Sequence, residues 1–256
     1  MSYSLCNTTI TSYWRGKPLS AREVFDRMAA FLKQLQSFND LFSCFYISNG
    51  TTDIWTPLKA DLSDAVLEVS KRTDPEVAYS NADANDKSFS MQSYSPLGFS
   101  ALFATVSDSR KDGFWIDIVC GQDERHSRAN APNRVTINVS PSLANPNFLR
   151  ALLQQTVVFW KPADAAVSHP DVDSLLRQPA GEISPGWLTY LAEVSAADLP
   201  LSKYTYECFE DGIIIQASEE PGKKNDPVYV SRLSEISHAL KLIGLTKGRK
   251  EASTII

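Results

Sequence analysis

The sequence lacks the features that mark membrane proteins, secreted proteins and disulfide scaffolds. No apolar run approaches the roughly 18 residues of a membrane-spanning helix, and the first residues, MSYSLCNTTITSYW, have no basic segment followed by an apolar one. The four cysteines contain no Cys-x-x-Cys pair, which argues against a disulfide framework and against a zinc ribbon. We expect a cytoplasmic protein without a bound metal.

Common catalytic motifs are also missing. There is no Gly-x-Ser-x-Gly, no Walker phosphate loop and no Gly-x-Gly-x-x-Gly turn. The best enzymatic candidate is CGQDERH, which brings Cys120, Asp123, Glu124 and His126 close together in sequence. A nucleophile needs a base within reach and a metal needs convergent ligands, which one contiguous loop rarely provides. We expect no enzyme activity and no cofactor, and keep a small enzyme using Cys120 or His126 as an alternative.

The charge is distributed unevenly along the 256 residues, although the net value is only −5. Residues 73–124 hold nine acidic and three basic side chains, and residues 171–220 hold ten acidic and two basic ones. Each block alone is consistent with a solvated face. Together they would repel phosphate and attract a basic partner, so we expect no direct binding of nucleic acid.

Hydrophobic periodicity predicts an α+β fold in the first half of the chain. Ser20 and Glu23 have capping-box spacing before an amphipathic helix over 21–37. A strand is predicted over 41–48 with a turn at 49–50, followed by a helix over 61–72 and a polar loop over 80–88. Alternating residues then predict an antiparallel strand pair, 99–106 with 113–120, and another strand over 134–139.

The second half continues the same mixture of strands and helices. Asn145 and Pro146 open a helix, and Asp211-Gly212 is the predicted centre of a hairpin turn. A helix over 228–243 precedes a loose tail over 246–256. The absence of a regular β-α-β order predicts a mostly antiparallel sheet with helices packed against it, in a single domain over 1–256.

The stretch ISPGWLTYLAEV, residues 183–194, is unusually apolar. After Pro185-Gly186, apolar groups follow on both faces, as in a central strand, so Trp187 and Tyr190 are assigned to the core. Four of the five tryptophans stand beside Pro, Gly or Arg near predicted element ends, where half-exposed rings are common. Most are expected to close the core, and one or two are candidate interface anchors.

Three short aromatic motifs resemble the immunity protein 52 family of bacterial polymorphic toxin systems. They are YWRG at 13–16, FWKP at 159–162 and GWLTYL at 186–191. The first helix adds four matching positions, Glu23, Arg27, Phe31 and Leu32. The resemblance spans residues 13 to 191.

The resemblance implies a non-catalytic inhibitor of a secreted antibacterial toxin. In that family the cognate toxin is typically a restriction-endonuclease-like DNase delivered by a type VI secretion system. No membrane partner is implied. An adaptor that assists effector loading is a further alternative.

Such an inhibitor can place carboxylates against the basic groups with which a nuclease binds phosphate. We therefore predict toxin contacts in both acidic blocks. The residues are Asp108, Asp112, Asp123 and Glu124 in the first block and Glu207, Glu210 and Asp211 in the second.

Overall fold

The fold is α+β with antiparallel strands, as the sequence predicts. A computed structural model describes residues 8–48, 55–58, 97–108, 111–122, 132–169, 171–172, 176, 181–222, 226–245 and 247. The predicted turn at 49–50, helix over 61–72 and loop over 80–88 lie outside these residues. The chain divides into two compact units. The first unit comprises Met1–Trp14 and Asn138–Ile256, and the second unit comprises Arg15–Ile137. The single domain over 1–256 stays a prediction.

Ten strands and three longer helices are formed by the described residues. The strands are β1 Thr8–Trp14, β2 Tyr46–Ser48, β3 Trp55–Pro57, β4 Leu97–Ala104, β5 Phe114–Gln122, β6 Asn133–Val139, β7 Asp164–Ser168, β8 Leu188–Ala192, β9 Thr205–Phe209 and β10 Gly212–Gln216. The helices are α1 Ala21–Phe38, α2 Pro146–Trp160 and α3 Pro227–Leu242. None of these helices is long and apolar enough to cross a membrane.

In the first unit the strands follow the spatial order β1-β7-β8-β10-β9. The pairs β1–β7, β7–β8, β8–β10 and β9–β10 are all antiparallel. Strand β8 is central, and its first four residues are buried, as the apolar run beginning at Trp187 predicts. Trp187 and Tyr190 are 2% and 1% exposed, which confirms their assignment to the core.

At the Pro185-Gly186 pair, the backbone that leads into β8 lies very close to the backbone of Val167. The Gly186 N–H donates to Thr189 Oγ1 at 3.0 Å, and the Trp187 N–H donates to the Val167 carbonyl at 2.7 Å. A Cβ atom built on Gly186 would lie 2.0 Å from the Val167 carbonyl oxygen. Only glycine therefore allows this approach of one backbone to the other.

The aromatic motifs meet inside the first unit. Trp14 at the end of β1 stacks on Trp160 at the end of α2, with ring centroids 4.9 Å apart. Trp14, Trp160 and Trp187 are 8%, 1% and 2% exposed. These three tryptophans therefore close the core, as expected, because the element ends where they lie are covered by neighbouring strands and helices.

In the second unit the strand order is β3-β2-β4-β5-β6. The predicted strand pair is confirmed as β4 and β5, which run antiparallel. Helix α1 begins with the predicted capping box, in which the Ser20 N–H donates to Glu23 Oε2 at 2.8 Å. The Ser20 hydroxyl also donates to Glu23 Oε2, at 2.6 Å, and the two hydrogen bonds, first that of the hydroxyl and then that of the N–H, lower the pKa of Glu23.

The predicted strand over 41–48 is mostly wrong, because only Tyr46–Ser48 is extended. Asp40–Phe42 forms a short 3-10 turn, in which the Leu41 N–H donates to the Asn39 side chain at 3.0 Å. This local cap competes with strand formation. Burial stabilises the turn, since the Phe42 ring lies 4.5 Å from the ring of Phe114.

Helices α2 and α3 begin as the sequence predicts. Asn145 caps α2 ahead of Pro146, and Asp226 caps α3 by accepting from the Val228 and Tyr229 N–H groups. Within the predicted tail, the Lys247 N–H donates to the Gly181 carbonyl and its ammonium lies 4.6 Å from the centre of the Tyr13 ring. Lys247 is thus held in the first unit, and the loose tail beyond it stays a prediction.

Replacing Gly186 by alanine tests the close approach at the start of β8. We expect Gly186→Ala to lower the free energy of unfolding by at least about 3 kcal/mol, because the methyl group displaces a backbone carbonyl. Chemical denaturation measures the change.

Gly244→Ala is the matched control for this substitution. Gly244 has a φ of +74°, but a methyl group added there would meet no other atom within 4 Å, so the loss should be about 1 kcal/mol. Equal losses at the two glycines would contradict the argument from close approach.

Candidate functional site

The second predicted contact group lies on the β9–β10 hairpin. Phe209 pairs with Gly212, so the two turn residues are Glu210 and Asp211. The predicted turn centre, Asp211-Gly212, is therefore wrong by one residue. Glu210, with a φ of 51°, supplies the left-handed position instead of the glycine. Gly212 has another role, since a Cβ atom there would lie 2.1 Å from the Leu191 carbonyl oxygen.

The Asp211 carboxylate is fixed from beneath the hairpin. The buried Tyr190 ring ends in a hydroxyl that donates to Asp211 Oδ1 at 2.6 Å. The Asp211 carbonyl accepts from the Glu193 N–H at 2.9 Å. Glu193 and Asp211 are thus neighbours at the surface, with Glu210 beside them in the turn, and all three residues are exposed.

Glu207 is tied to helix α2 by a polar network. Arg150 Nη1 lies 2.5 Å from Glu207 Oε2, and Arg150 Nη2 donates to Gln216 Oε1 at 2.6 Å. Gln154 Nε2 donates to Glu207 Oε1 at 3.0 Å. The network joins α2 to both strands of the hairpin. Because the two charged side chains are 27% and 40% exposed, the ion pair stabilises the fold by no more than about 1 kcal/mol.

The hairpin and the four residues after it form a strongly acidic segment. Residues 205–220, called the acidic hairpin below, contain Glu207, Glu210, Asp211, Glu219 and Glu220 and no basic residue. Two described arginines contact this segment. Arg150 forms an ion pair with Glu207, and Arg232 Nη1 donates to the Ala217 carbonyl at 3.2 Å. The other four acidic residues are exposed at the surface.

The first predicted contact group is described only in part. Asp108 and Asp112 lie in the connection between β4 and β5, where the Asp108 carbonyl accepts from the Lys111 N–H at 3.0 Å. Asp108 is half-buried and Asp112 is exposed. Asp123 and Glu124 lie outside the described residues. The toxin contacts assigned to both groups stay predictions.

Glu193 is an acidic neighbour that the sequence did not single out for this surface. It follows β8 with a φ of 53°, and its N–H bond to the Asp211 carbonyl brings it to the hairpin. The two residues are 18 positions apart in sequence. Only the pairing of β8 with β10 shows that they meet, although the acidic composition of residues 171–220 already includes both.

The candidate nucleophile Cys120 is enclosed within the second unit. Its side chain is 1% exposed on β5, and burial raises the pKa of the Cys120 thiol to about 12, against the opposing effect of the Arg27 charge. The thiol is therefore protonated at neutral pH and closed to a substrate. His126 lies outside the described residues.

No metal centre is formed by the part of the chain that the structure describes, where no three His, Cys, Asp or Glu residues converge. Just after β7, His169 and Asp171 make a local hydrogen bond. The Asp171 N–H donates to His169 Nδ1 at 3.3 Å.

Comparisons with known proteins show the fold and leave the family open. No family model matches the sequence, and no curated protein matches it. The α+β fold is similar to that of a solved T6SS protein from Pseudomonas aeruginosa, with a TM-score of 0.53 and 16% identity. The similarity covers 97% of this chain and 77% of the other. It establishes a common architecture over nearly the whole chain.

Cysteine reactivity tests the enclosure of Cys120. In the native protein at pH 8, we expect iodoacetamide to alkylate the exposed Cys44 and Cys208 and to leave Cys120 unmodified. Peptide mapping by mass spectrometry reads each site separately. In guanidinium chloride Cys120 should react as well. Native alkylation of Cys120 at the rate of Cys208 would show that the thiol is accessible.

Proposed function

We propose that this protein is an immunity protein that binds and neutralises a cognate secreted antibacterial toxin, a restriction-endonuclease-like DNase delivered by type VI secretion. The observation that carries the proposal is the acidic hairpin, which has five acidic residues and no basic residue; among the described side chains, only its Glu207 forms an ion pair with a basic group. A nuclease binds phosphate through basic groups, which such a surface complements in charge.

The fold and the motifs support the type VI part of the proposal. A solved structure with a similar fold is a T6SS protein. The motif residues Trp14, Trp160 and Trp187, on which the resemblance to immunity protein 52 depends, all lie in the core of the first unit. They support a common fold, while the acidic surface is where a partner would be chosen.

A non-catalytic mechanism in the cytoplasm of the producer follows from this proposal. The protected thiol of Cys120 argues against the enzyme alternative. Carboxylates that repel phosphate suit a protein that contacts the nuclease and not its DNA. Inhibition then needs neither metal nor cofactor, and it proceeds by covering phosphate-binding groups or by holding the toxin in an inactive arrangement.

Capture of the partner is the first test. The tagged protein is purified from its native organism at moderate salt, and partners are identified by mass spectrometry. We expect a stoichiometric protein with a nuclease-like domain, whose cleavage of DNA stops on addition of the purified immunity protein. If a candidate toxin is detectable in the lysate and is not retained, the proposal is wrong.

Charge reversal in the turn tests the acidic surface. Glu210→Lys should weaken toxin binding at least tenfold, mainly through slower association, and should reduce the dependence on salt. Surface plasmon resonance at two ionic strengths measures both effects. Asp40→Lys makes the same change of charge at an exposed residue of the second unit and should bind as the wild type does.

Loss-of-function experiments separate the alternatives. An enzyme using Cys120 or His126 would lose its effect in Cys120→Ala and His126→Ala, whereas immunity should persist in both variants. An adaptor predicts a different phenotype, in which deletion of the gene impairs effector export and leaves the cell resistant to the toxin. Sensitivity of the deletion strain with normal export supports immunity.

A further inference from the structure

Strand β9 ends the sheet of the first unit and pairs with β10 on one side only. Among the described residues, no other strand or helix bonds to its second side through the main chain. Thr205 and Cys208 are exposed along this strand. A free strand edge of this kind can accept an extended segment of another protein.

The register shows which main-chain groups are available. The Ala217 N–H donates to the Trp187 carbonyl, so odd-numbered residues of this segment bond toward β8. Residues 212, 214 and 216 therefore bond toward β9, where their partners are 209, 207 and 205. Because main-chain groups alternate along a strand, the N–H and C=O groups of Tyr206 and Cys208 point outward.

Strand β9 lacks three features that block strand addition at natural sheet edges. Natural edge strands are often blocked by proline, lysine or a bulge. Strand β9 contains no proline and no lysine, and its register with β10 is uninterrupted from Thr205 to Phe209. The charges nearby restrict the partner instead, since Glu210 and Asp211 lie at one end of the hairpin and Glu219 and Glu220 follow its other end.

We infer that the outer edge of β9 binds an extended, lysine- or arginine-bearing segment of a protein partner as an added strand. The inference rests on the proposed function, in which that partner is the toxin. Main-chain bonds to Tyr206 and Cys208 fix the segment, while the acidic hairpin selects its basic side chains. A second copy of this chain fits less well, because an antiparallel pairing of two β9 strands centred on Glu207 sets the two glutamates opposite each other.

A synthetic peptide tests the edge directly. The probe is an eight-residue capped peptide of alternating lysine and valine, added to the full-length 15N-labelled protein. We expect saturable amide shifts that are largest at Tyr206 and Cys208, and hydrogen exchange at these two amides slowed at least tenfold. The matched peptide with glutamate in place of lysine should bind at least tenfold more weakly. Absent shifts, or shifts centred elsewhere, overturn the inference.

Two substitutions at Cys208 distinguish the contribution of its main-chain N–H to binding from that of its side chain. Cys208→Pro removes an outward N–H and leaves the β10 ladder intact, so it should weaken peptide binding at least tenfold. Cys208→Ala should bind as the wild type does. Equal binding by both variants overturns the inference, and the exchange measurement on the wild-type protein decides the matter if Cys208→Pro does not fold.

The same variants distinguish failure of this inference from failure of the proposed function. Neutralisation of the captured nuclease by folded Cys208→Pro as effectively as by the wild type overturns the inference and leaves immunity standing. Peptide binding at β9 without any captured nuclease supports the edge as a binding surface and refutes its assignment to a toxin.

Discussion

Close contact between backbones at the two ends of β8 determines the arrangement of the first unit. Gly186 lies against the Val167 carbonyl where β8 begins, and Gly212 lies against the Leu191 carbonyl where β8 ends. A side chain at either position would separate strands that hydrogen bonds hold together. The hairpin that carries the acidic residues and strand β7 both pair directly with this central strand.

The elements that the sequence predicted well are those with strong local signals. Ser20 and Glu23 mark the start of α1, and Asn145 marks the start of α2, because a capping side chain acts within three residues of its own position. The alternation in β5 likewise reflects one strand with one well-buried set of positions. These signals need no knowledge of the rest of the chain.

The incorrect predictions concern segments whose conformation is determined by residues far away in the sequence. The run of apolar residues after Leu41 looks like a strand, yet Phe42 turns inward to meet Phe114, 72 positions later. Asp211-Gly212 looks like a turn centre, yet the approach of Leu191 uses the glycine for another purpose. Tertiary contacts of this kind override local preference.

At the candidate site, too, the composition could be predicted from the sequence and the geometry could not. Acidic composition located the hairpin region, because the density of carboxylates is visible in sequence. It did not show that Glu207 is engaged by Arg150, 57 positions away, or that Glu193 joins Asp211. Charge can be counted along a chain, whereas the availability of each charge depends on its neighbours in space.

The Arg150 network also restricts the conformation of the acidic hairpin. One guanidinium group contacts a residue on each strand, Glu207 and Gln216, from a helix that is itself anchored by Trp160. Both strands of the hairpin are thus held against α2, so a partner that bound there would cause little further loss of conformational entropy. A surface held in this way would favour discrimination between closely related partners, because its strands could bend little to accommodate a poorly matched partner.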